Sequence, residues 1–244
     1  QTLIFLEDLS LVSRQAQQLK LAALGRLTAS IAHEIRNPLG AISHAAQLLY
    51  ESEDLHGGDR RLGQIIQDQS RRMNRVIENV LQLSRRRDAE FELLDLQTWL
   101  EAFVNEARSQ LSPDQSVHLD INPASLTTRM DAEQLNQVVS NLLQNALRYS
   151  GKQNERAQVW LRLFQDPLSD QPILEVLDDG PGVANEHMTK LFEPFFTTES
   201  KGTGLGLYLS RELCESNQAH LDYTFREGGG SCLRITFAQP LKLS

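Results

Sequence analysis

The sequence predicts an α+β protein of two domains: a pair of long helices, then a mixed β-sheet covered by helices on one face. Three observations support this class. The first part of the chain repeats apolar residues at gaps of four and three, which is typical of helices that pack side by side. The second part mixes strand-like and helix-like runs without regular alternation. The length of 244 residues, 40% of them hydrophobic, is sufficient for two ordinary domains.

The first helix is predicted from about Glu7 to Ser52, where there is little glycine and one proline. Gly57 and Gly58 break the pattern, and a second helix restores it. The repeated positions form an apolar seam at residues 24, 28, 31, 35, 38, 42, 45 and 49, then at 62, 66, 69, 73, 76, 80 and 83. One hairpin hides only part of this surface, so we expect a homodimer that closes a four-helix bundle.

Changes in pattern suggest the domain boundaries. Residues 9–88 would form the hairpin, residues 89–95 a linker, and residues 96–244 the second domain. The strand-like run at Thr2 to Leu6 is expected to be the end of an upstream domain, at residues 1–8. In the second domain, helices are predicted near residues 96–111, 133–149 and 206–217, and strands near 117–121, 159–164, 173–178, 219–226 and 231–238.

The composition of the chain limits the functions that it could have. The net charge of -8 argues against direct nucleic-acid binding, whereas arginines crowd the second helix and suit an acidic protein partner. Cys214 and Cys232 lack metal-site spacing, which favours a reducing compartment such as the cytoplasm. No apolar run is long enough to span a bilayer, so we expect no membrane contact by this fragment. The composition leaves open whether segments before Gln1 include membrane helices that anchor the full-length protein.

His33 is the first candidate for chemistry. It stands beside Glu34 and two positions after the seam residue Ile31, so it faces away from the bundle axis. A neutral imidazole can act as a nucleophile, and an adjacent carboxylate can orient the ring or accept its proton. Pro38 is expected to bend the helix one turn later. An ordinary surface histidine is the alternative, and it is what we expect of His44, which lacks the adjacent acid.

A polar stripe follows on the helix near residues 133–149. Asn141, Asn145 and Arg148 lie at spacings of four and three and share one face. Carboxamide oxygens are hard ligands that suit Mg²⁺, and the arginine would compensate phosphate charge. A solvent-facing polar stripe is the alternative. On the buried side we predict Leu135, Val138, Val139, Leu142, Leu143 and Ala146.

Two glycine-rich segments complete the set. Asp178 to Gly182 ends a predicted buried strand, where a carboxylate can bind an exocyclic amine and glycine lets the backbone approach a flat ring. A simple tight turn is the alternative. Gly202 to Gly206 leads into a helix whose free N–H groups favour phosphate, although its spacing is neither the dinucleotide fingerprint nor the P-loop. Residues 185–201 between them suggest a lid over nucleotide or a buried aromatic plug.

Together these segments resemble the sensor histidine kinases of two-component systems, over nearly the whole chain from about Ala22. Five motifs follow in the family's order: the H box at His33 to Leu39, the N box at Asn141 to Ser150, the first glycine box at residues 178–182, the F box at 191–196 and the second glycine box at 202–207. The flanking residues are similar to the NtrB- and PilS-like kinases, which signal to NtrC-type regulators. Residues 1–8 then look like the end of a PAS sensor domain.

The resemblance implies an ATP-binding domain of the GHKL (Bergerat) type, an α/β sandwich with a mixed sheet. It places adenine against Asp178 and Gly182, Mg²⁺ on Asn145 with help from Asn141, and phosphates under the second glycine box. The residues that it places around ATP are Asn141, Asn145, Arg148, Tyr149, Asp178, Gly180, Gly182, Lys201, Gly202, Thr203, Gly204, Leu205, Gly206 and Leu207.

In the same family pattern, His33 accepts the γ-phosphoryl group, Glu34 receives the histidine proton, and an aspartate of a response-regulator receiver domain takes the phosphoryl group. Asn37 would orient water for dephosphorylating the receiver, which implies a bifunctional kinase and phosphatase. Asp179 and Arg148 depart from the pattern, since asparagine and lysine are frequent there. Two other classes stay open: an ATP-driven conformational clamp, and a dimeric scaffold without catalysis.

Overall fold

The structure is a computed structural model that describes residues 35, 38–51, 57–84, 89–122, 126–153, 155–199, 202–226 and 228–239. By its contacts the chain divides into two compact units. The first covers residues 1–87 and 198–203, and the second covers residues 88–197 and 204–244. Residues 1–8 lie outside the described residues, so the upstream domain stays a prediction.

Two helices build the first unit. In α1, residues 38–51 form the described run, and α2 spans Gly57–Ser84. The residues buried between them recur every seven positions: Leu39 and Ala46 on α1, and Gly63, Ser70 and Ile77 on α2. A Cβ added to Gly63 would lie 3.4 Å from the carbonyl oxygen of Ala46. Small residues at these positions therefore let the two helices approach closely.

Much of the predicted seam lies beside the helix faces that are buried between α1 and α2. Each buried position follows a seam position by one residue, which on an α-helix is a rotation of about 100°. The described seam residues with large apolar side chains are exposed by 36–58%: Ile35, Ile42, Leu49, Leu62, Ile66 and Met73. The hairpin thus has two stripes, one buried within the chain and one left on its surface.

The second unit is built on a sheet of five strands: β2 (Gln115–Asn122), β4 (Ala157–Gln165), β5 (Pro172–Asp178), β6 (His220–Phe225) and β7 (Ser231–Thr236). Their order in the sheet is β2-β4-β5-β7-β6. The pair β2–β4 is parallel and the other pairs are antiparallel, so the sheet is mixed, as predicted.

Three longer helices share one hydrophobic core with the sheet. They are α3 (Leu96–Ser109), α4 (Ala132–Gln153) and α6 (Gly206–Ser216). All six residues predicted for the buried side of α4 are exposed by no more than 5%. The helices and strands predicted for residues 96–238 are all confirmed, with ends within four residues of the expected positions.

Three short elements were not predicted. The strands β1 (Glu92–Asp95) and β3 (Thr127–Met130) pair as a separate antiparallel sheet, and α5 (Asn185–Met188) is a single turn. Strand β1 lies within the segment predicted to be a linker, residues 89–95. Four residues are too few to display a clear two-residue period, and each strand is completed by a partner more than 30 positions away.

A row of alternating charges crosses the sheet. In register, Asp120 on β2 faces Arg162 on β4, which faces Glu175 on β5, which faces Arg234 on β7, which faces Asp222 on β6. The ion-pair distances along the first four residues are 3.5, 3.7 and 2.6 Å. Glu175 in the middle is only 5% exposed, and two arginines compensate its charge.

No helix among the residues described here is both long enough and apolar enough to cross a membrane.

Candidate nucleotide site

The predicted asparagine stripe lies on α4. Asn141 and Asn145 are half-buried and Arg148 is exposed. The Nδ2 of Asn141 donates a hydrogen bond to Ser210 Oγ on α6 at 2.9 Å. Its Oδ1 would lie 2.5 Å from a Cβ added to Gly206. This glycine therefore allows the first turn of α6 to rest directly on the asparagine.

The second glycine box positions the start of α6. Gly204 has a φ of +68°, and a Cβ there would collide with the backbone of Phe195, so only glycine fits without strain. Leu205 is fully buried and precedes the helix as its N-cap, with no side-chain capping bond. The first N–H groups of a helix have no partner within the helix and attract anions. This end of α6 is thus suited to phosphate.

Asp178 lies at the end of β5 and is 4% exposed. Its Oδ1 accepts hydrogen bonds from the backbone N–H groups of Gly180 at 2.9 Å and Ser231 at 3.2 Å. Burial raises the pKa of this carboxyl above its ordinary value of 3.8, against the lowering effect of these bonds, and the neighbouring Asp179 adds to the rise. Such a carboxylate is costly to bury, which suggests that it serves a ligand.

The turn after Asp178 packs against the end of α4. A Cβ added to Gly180 would lie 2.8 Å from the backbone carbonyl of Tyr149. Ser150, which is fully buried, donates a hydrogen bond to Asp179 Oδ1 and accepts one from the backbone N–H of Gln158 at 2.8 Å. The helix that carries the asparagines therefore also supports the Asp178 turn.

The hairpin between β6 and β7 closes the other side of this turn. The hydroxyl of Tyr223 accepts a hydrogen bond from the N–H of Val183 at 3.1 Å. Gly182 has a φ of +73°, and a Cβ there would lie 3.1 Å from the carbonyl oxygen of Gly230. Gly230 itself has a φ of +99° and lies against the carbonyl of Asp178. The hairpin glycines thus permit a close main-chain contact with Asp178.

Within the second unit, α4 connects the two ends of the site. Asn141 and Tyr149 are eight residues apart, about 12 Å along a helix that rises 1.5 Å per residue. Asn141 contacts Gly206, and Tyr149 contacts Gly180.

Not every predicted residue can be placed. His33, Glu34, Asn37 and Lys201 lie outside the described residues, and Gly202 and Thr203 group with the first unit. The described structure does not test the roles predicted for these six.

Phe192 and Phe195, in the segment predicted as a lid or an aromatic plug, differ in burial. Phe192 is half-buried, packs against the main core and has the Arg211 guanidinium 4.9 Å from its ring centre. Phe195, in contrast, is 52% exposed and has a φ of +67°.

Sequence reasoning gave no individual role to four contributors: Ser150, Ser210, Tyr223 and Ser231. Each makes a hydrogen bond within the site to a residue at least 29 positions away. Serine and tyrosine are common on surfaces, so no local pattern distinguished them as single residues. The available signals were the N box, which ends at Ser150, and Gly228 to Ser231, which resemble the family's weak third glycine element.

The donor set fits a magnesium ion held mainly by a nucleotide. Among the described residues, no group of three or more His, Cys, Asp and Glu side chains could form a metal cage. Mg²⁺ commonly takes one or two protein oxygens and completes its shell with phosphates and water. The amide oxygen of Asn145 is available for this role, and that of Asn141 lies at the start of α6.

Fold and site together define the class, the two-domain cores of histidine kinases, and comparisons with protein families agree. Residues 23–89 match the His Kinase A (phospho-acceptor) domain. Residues 130–241 match the histidine kinase-, DNA gyrase B- and HSP90-like ATPase family. The chain therefore belongs to the sensor histidine kinases.

Two curated sensor kinases are similar to most of this chain. The chain is 69% identical over 242 residues to the sensor protein kinase PilS of Pseudomonas aeruginosa, covering 99% of this chain and 46% of that protein. It is 35% identical over 203 residues to the sensory histidine kinase/phosphatase NtrB of Rhodobacter capsulatus, covering 77% and 55%. The chain thus spans about half the length of these relatives.

Solved structures share the fold. The crystal structure of histidine kinase ThkA in complex with response regulator protein TrrA matches with a TM-score of 0.68 and 22% identity, over 100% of this chain and 70% of that chain. Full-length ShkA in complex with AMPPNP matches with a TM-score of 0.67 and 21% identity, over 88% and 46%.

Proposed function

We propose that this chain is the catalytic core of a sensor histidine kinase, which binds Mg·ATP in its second unit and transfers the γ-phosphoryl group to His33. Residues 9–88 would carry the phosphoacceptor and residues 96–244 the nucleotide. The observation that carries the proposal is Asp178, a buried carboxylate at a strand end whose Oδ1 is fixed by two backbone N–H groups. The AMPPNP bound by the structural relative ShkA supports it.

The nucleotide would lie along α4. The exocyclic amine of adenine would donate to the Asp178 Oδ2, because Oδ1 already accepts two backbone N–H groups. Gly180 and Gly182 would hold the turn in place, because each lies close to main chain of a neighbouring element, at Tyr149 and Gly230. The phosphates would meet the first N–H groups of α6, with Asn145 and Asn141 holding the metal and Arg148 balancing charge. Bound Mg²⁺ would neutralise negative charge on the phosphate oxygens.

Phosphoryl transfer depends mainly on in-line positioning and charge neutralisation. The second unit must therefore deliver the γ-phosphate to His33. The neutral ring attacks phosphorus through one nitrogen, and the bond to the leaving ADP oxygen breaks. Glu34 would orient the ring through its other N–H and receive the excess proton. A phosphohistidine and ADP result.

The hairpin would dimerise through its exposed seam. Ile42, Leu49, Leu62 and Ile66 are 40–58% exposed in the single chain. Contiguous apolar surface of this kind marks an interface, and two hairpins would enclose it as a four-helix bundle.

The phosphoryl group would pass to an aspartate of a receiver domain, of the NtrC type by the similarity to PilS and NtrB. The complex of ThkA with TrrA supports docking of a response regulator. On α2, Arg60, Arg61 and Arg71 are exposed and could attract an acidic receiver.

Phosphate labelling tests the kinase. We expect the chain, incubated with γ-labelled ATP and Mg²⁺, to gain label that is lost in acid and kept in base. His33→Gln should lose all label while retaining ATP binding. His44→Gln is the matched control, because His44 is exposed on α1 and lacks the adjacent acid, and it should label normally. ATP hydrolysis without protein label would favour a conformational clamp, and absent Mg·ATP binding would favour a scaffold.

Asn37→Ala tests the phosphatase. Its amide would orient water against the receiver phosphate and takes no part in autophosphorylation. We therefore expect near-normal labelling of His33 and roughly 100-fold slower loss of phosphate from the receiver, as for removal of one positioned group. The NtrB relative, a kinase/phosphatase by its name, supports this activity. An unchanged half-life of the phosphorylated receiver would contradict the role.

A further inference from the structure

Arg226, which follows β6, connects two parts of the second unit. Its Nη1 donates a hydrogen bond to the backbone carbonyl oxygen of Asp178 at 3.0 Å. Its Cζ lies 4.0 Å from the centre of the Trp160 ring on β4. A guanidinium over an indole face is a favourable cation–π contact, and its N–H groups remain free to donate within their own plane. The ring therefore helps to fix the direction in which Arg226 reaches Asp178.

The bond holds Asp178 on the β7 side, whereas β4 still pairs with Asp178 on the other side through Val159. The pairing of β5 with β7 ends one residue earlier, at Leu177 and Cys232. Beyond that point, the hairpin reaches Asp178 by the Ser231 N–H on its carboxylate and by Arg226 on its carbonyl. Arg226 acts on the Asp178 carbonyl through its side chain. Its contribution can thus be removed without altering the main chain of the hairpin.

We propose that Arg226, held against Trp160, is a positioning residue for nucleotide binding: it fixes the Asp178 peptide and thereby the direction of the carboxylate that receives the adenine amine. The inference rests on the proposed nucleotide site. Arg226 makes no contact with the nucleotide in this arrangement. Its effect is to keep the carboxylate in place before the ligand arrives, which lowers the cost of binding.

Calorimetric titration of the whole chain with Mg·AMPPNP tests this role. We expect Arg226→Ala to bind about tenfold more weakly, the effect of losing one charge-assisted hydrogen bond. Arg226→Lys keeps the charge and a donor but loses the planar stack, so its affinity should fall between the two. The melting temperature without nucleotide is measured in parallel.

Arg108 offers a matched control. It also donates from its guanidinium to a strand carbonyl, that of Val117, at 2.8 and 3.2 Å, but on the edge strand β2. Arg108→Ala should lower the melting temperature and leave the affinity for Mg·AMPPNP unchanged. Equal loss of affinity in both alanine variants would overturn the proposal, because it would show a general effect of stability.

Trp160→Leu keeps apolar cover on β4 and removes the ring, so it tests the same role if Arg226→Ala does not fold. We expect about threefold weaker binding, in line with the loss of a cation–π contact. Wild-type affinity in Arg226→Ala, or in Trp160→Leu should that be the variant that folds, would overturn the inference. A wild-type chain that does not bind Mg·AMPPNP would instead overturn the proposed function itself.

Discussion

The two units differ in the burial of their large apolar side chains. In the second unit the large apolar residues of α4 point inward, and Leu135, Val138 and Leu142 are fully buried. In the hairpin of the first unit, the residues buried within the chain include the small Ala46, Gly63 and Ser70, while larger side chains such as Leu49 stay half exposed. The second unit encloses its own core, whereas the hairpin leaves most of its described large apolar side chains exposed in the single chain.

The largest effect is expected in the core of the second unit. Leu142→Ala removes a fully buried side chain and should lower the free energy of unfolding by about 3 kcal/mol. Leu168→Ala is the control, because Leu168 is 95% exposed, and should change it by less than about 0.5 kcal/mol. Urea denaturation measures both. Similar values for the two variants would show that the second unit does not depend on this core.

The next effect separates stability from function within that unit. In Asp178→Asn, the amide oxygen can accept the two backbone N–H groups, but an NH₂ group then faces the adenine amine, donor against donor. We expect roughly 100-fold weaker ATP binding, since a charged hydrogen bond is lost and a donor is left unpaired. The melting temperature at pH 7 should rise, because a buried charge has been removed.

The pH dependence has the same origin. The pKa of Asp178 is raised on folding, mainly by burial, so the folded state binds the proton more tightly than the unfolded state. Its contribution to stability is complete below the ordinary value of 3.8 and is lost as the pH rises through the folded pKa. Melting curves of the wild type and Asp178→Asn should therefore converge as the pH falls through this window. A gap that widens on acidification would contradict this cause.

The smallest effect concerns the hairpin. Leu49→Glu places a charge on the exposed seam and should weaken dimerisation at least about tenfold, as expected for an unpaired charge at an apolar interface. Sedimentation velocity at micromolar concentration measures the change, with Leu168→Glu as the control. ATP binding should survive in both variants. A Leu49→Glu chain that remains dimeric would place the interface elsewhere.

The sequence predicted those parts of the fold and site that depend on residues close together in the chain. Three features of the site consist of residues that are close together in the sequence: the α4 stripe, the Asp178 turn and the glycine box before α6. The bond from Arg226 to Asp178 spans 48 positions, and it exists only in the register of this sheet. No local period or motif contains that information.

The hairpin was predicted less completely for a different reason. Apolar periodicity marks large side chains, and it located the seam that includes Leu49. The stripe buried within the chain includes Ala46, Gly63 and Ser70, whose small size permits close helix packing but gives no hydrophobic signal. The sequence thus predicted the exposed seam but did not predict the packing inside one copy.

The row of alternating charges across the sheet also bears on edge-to-edge pairing between two copies of the protein. Because five strands alternate in sign, both outer strands carry an aspartate, Asp120 on β2 and Asp222 on β6. Two sheets that met edge to edge in this register would bring like charges together, which opposes pairing. The charges at both edges of the sheet therefore oppose its extension into a fibre.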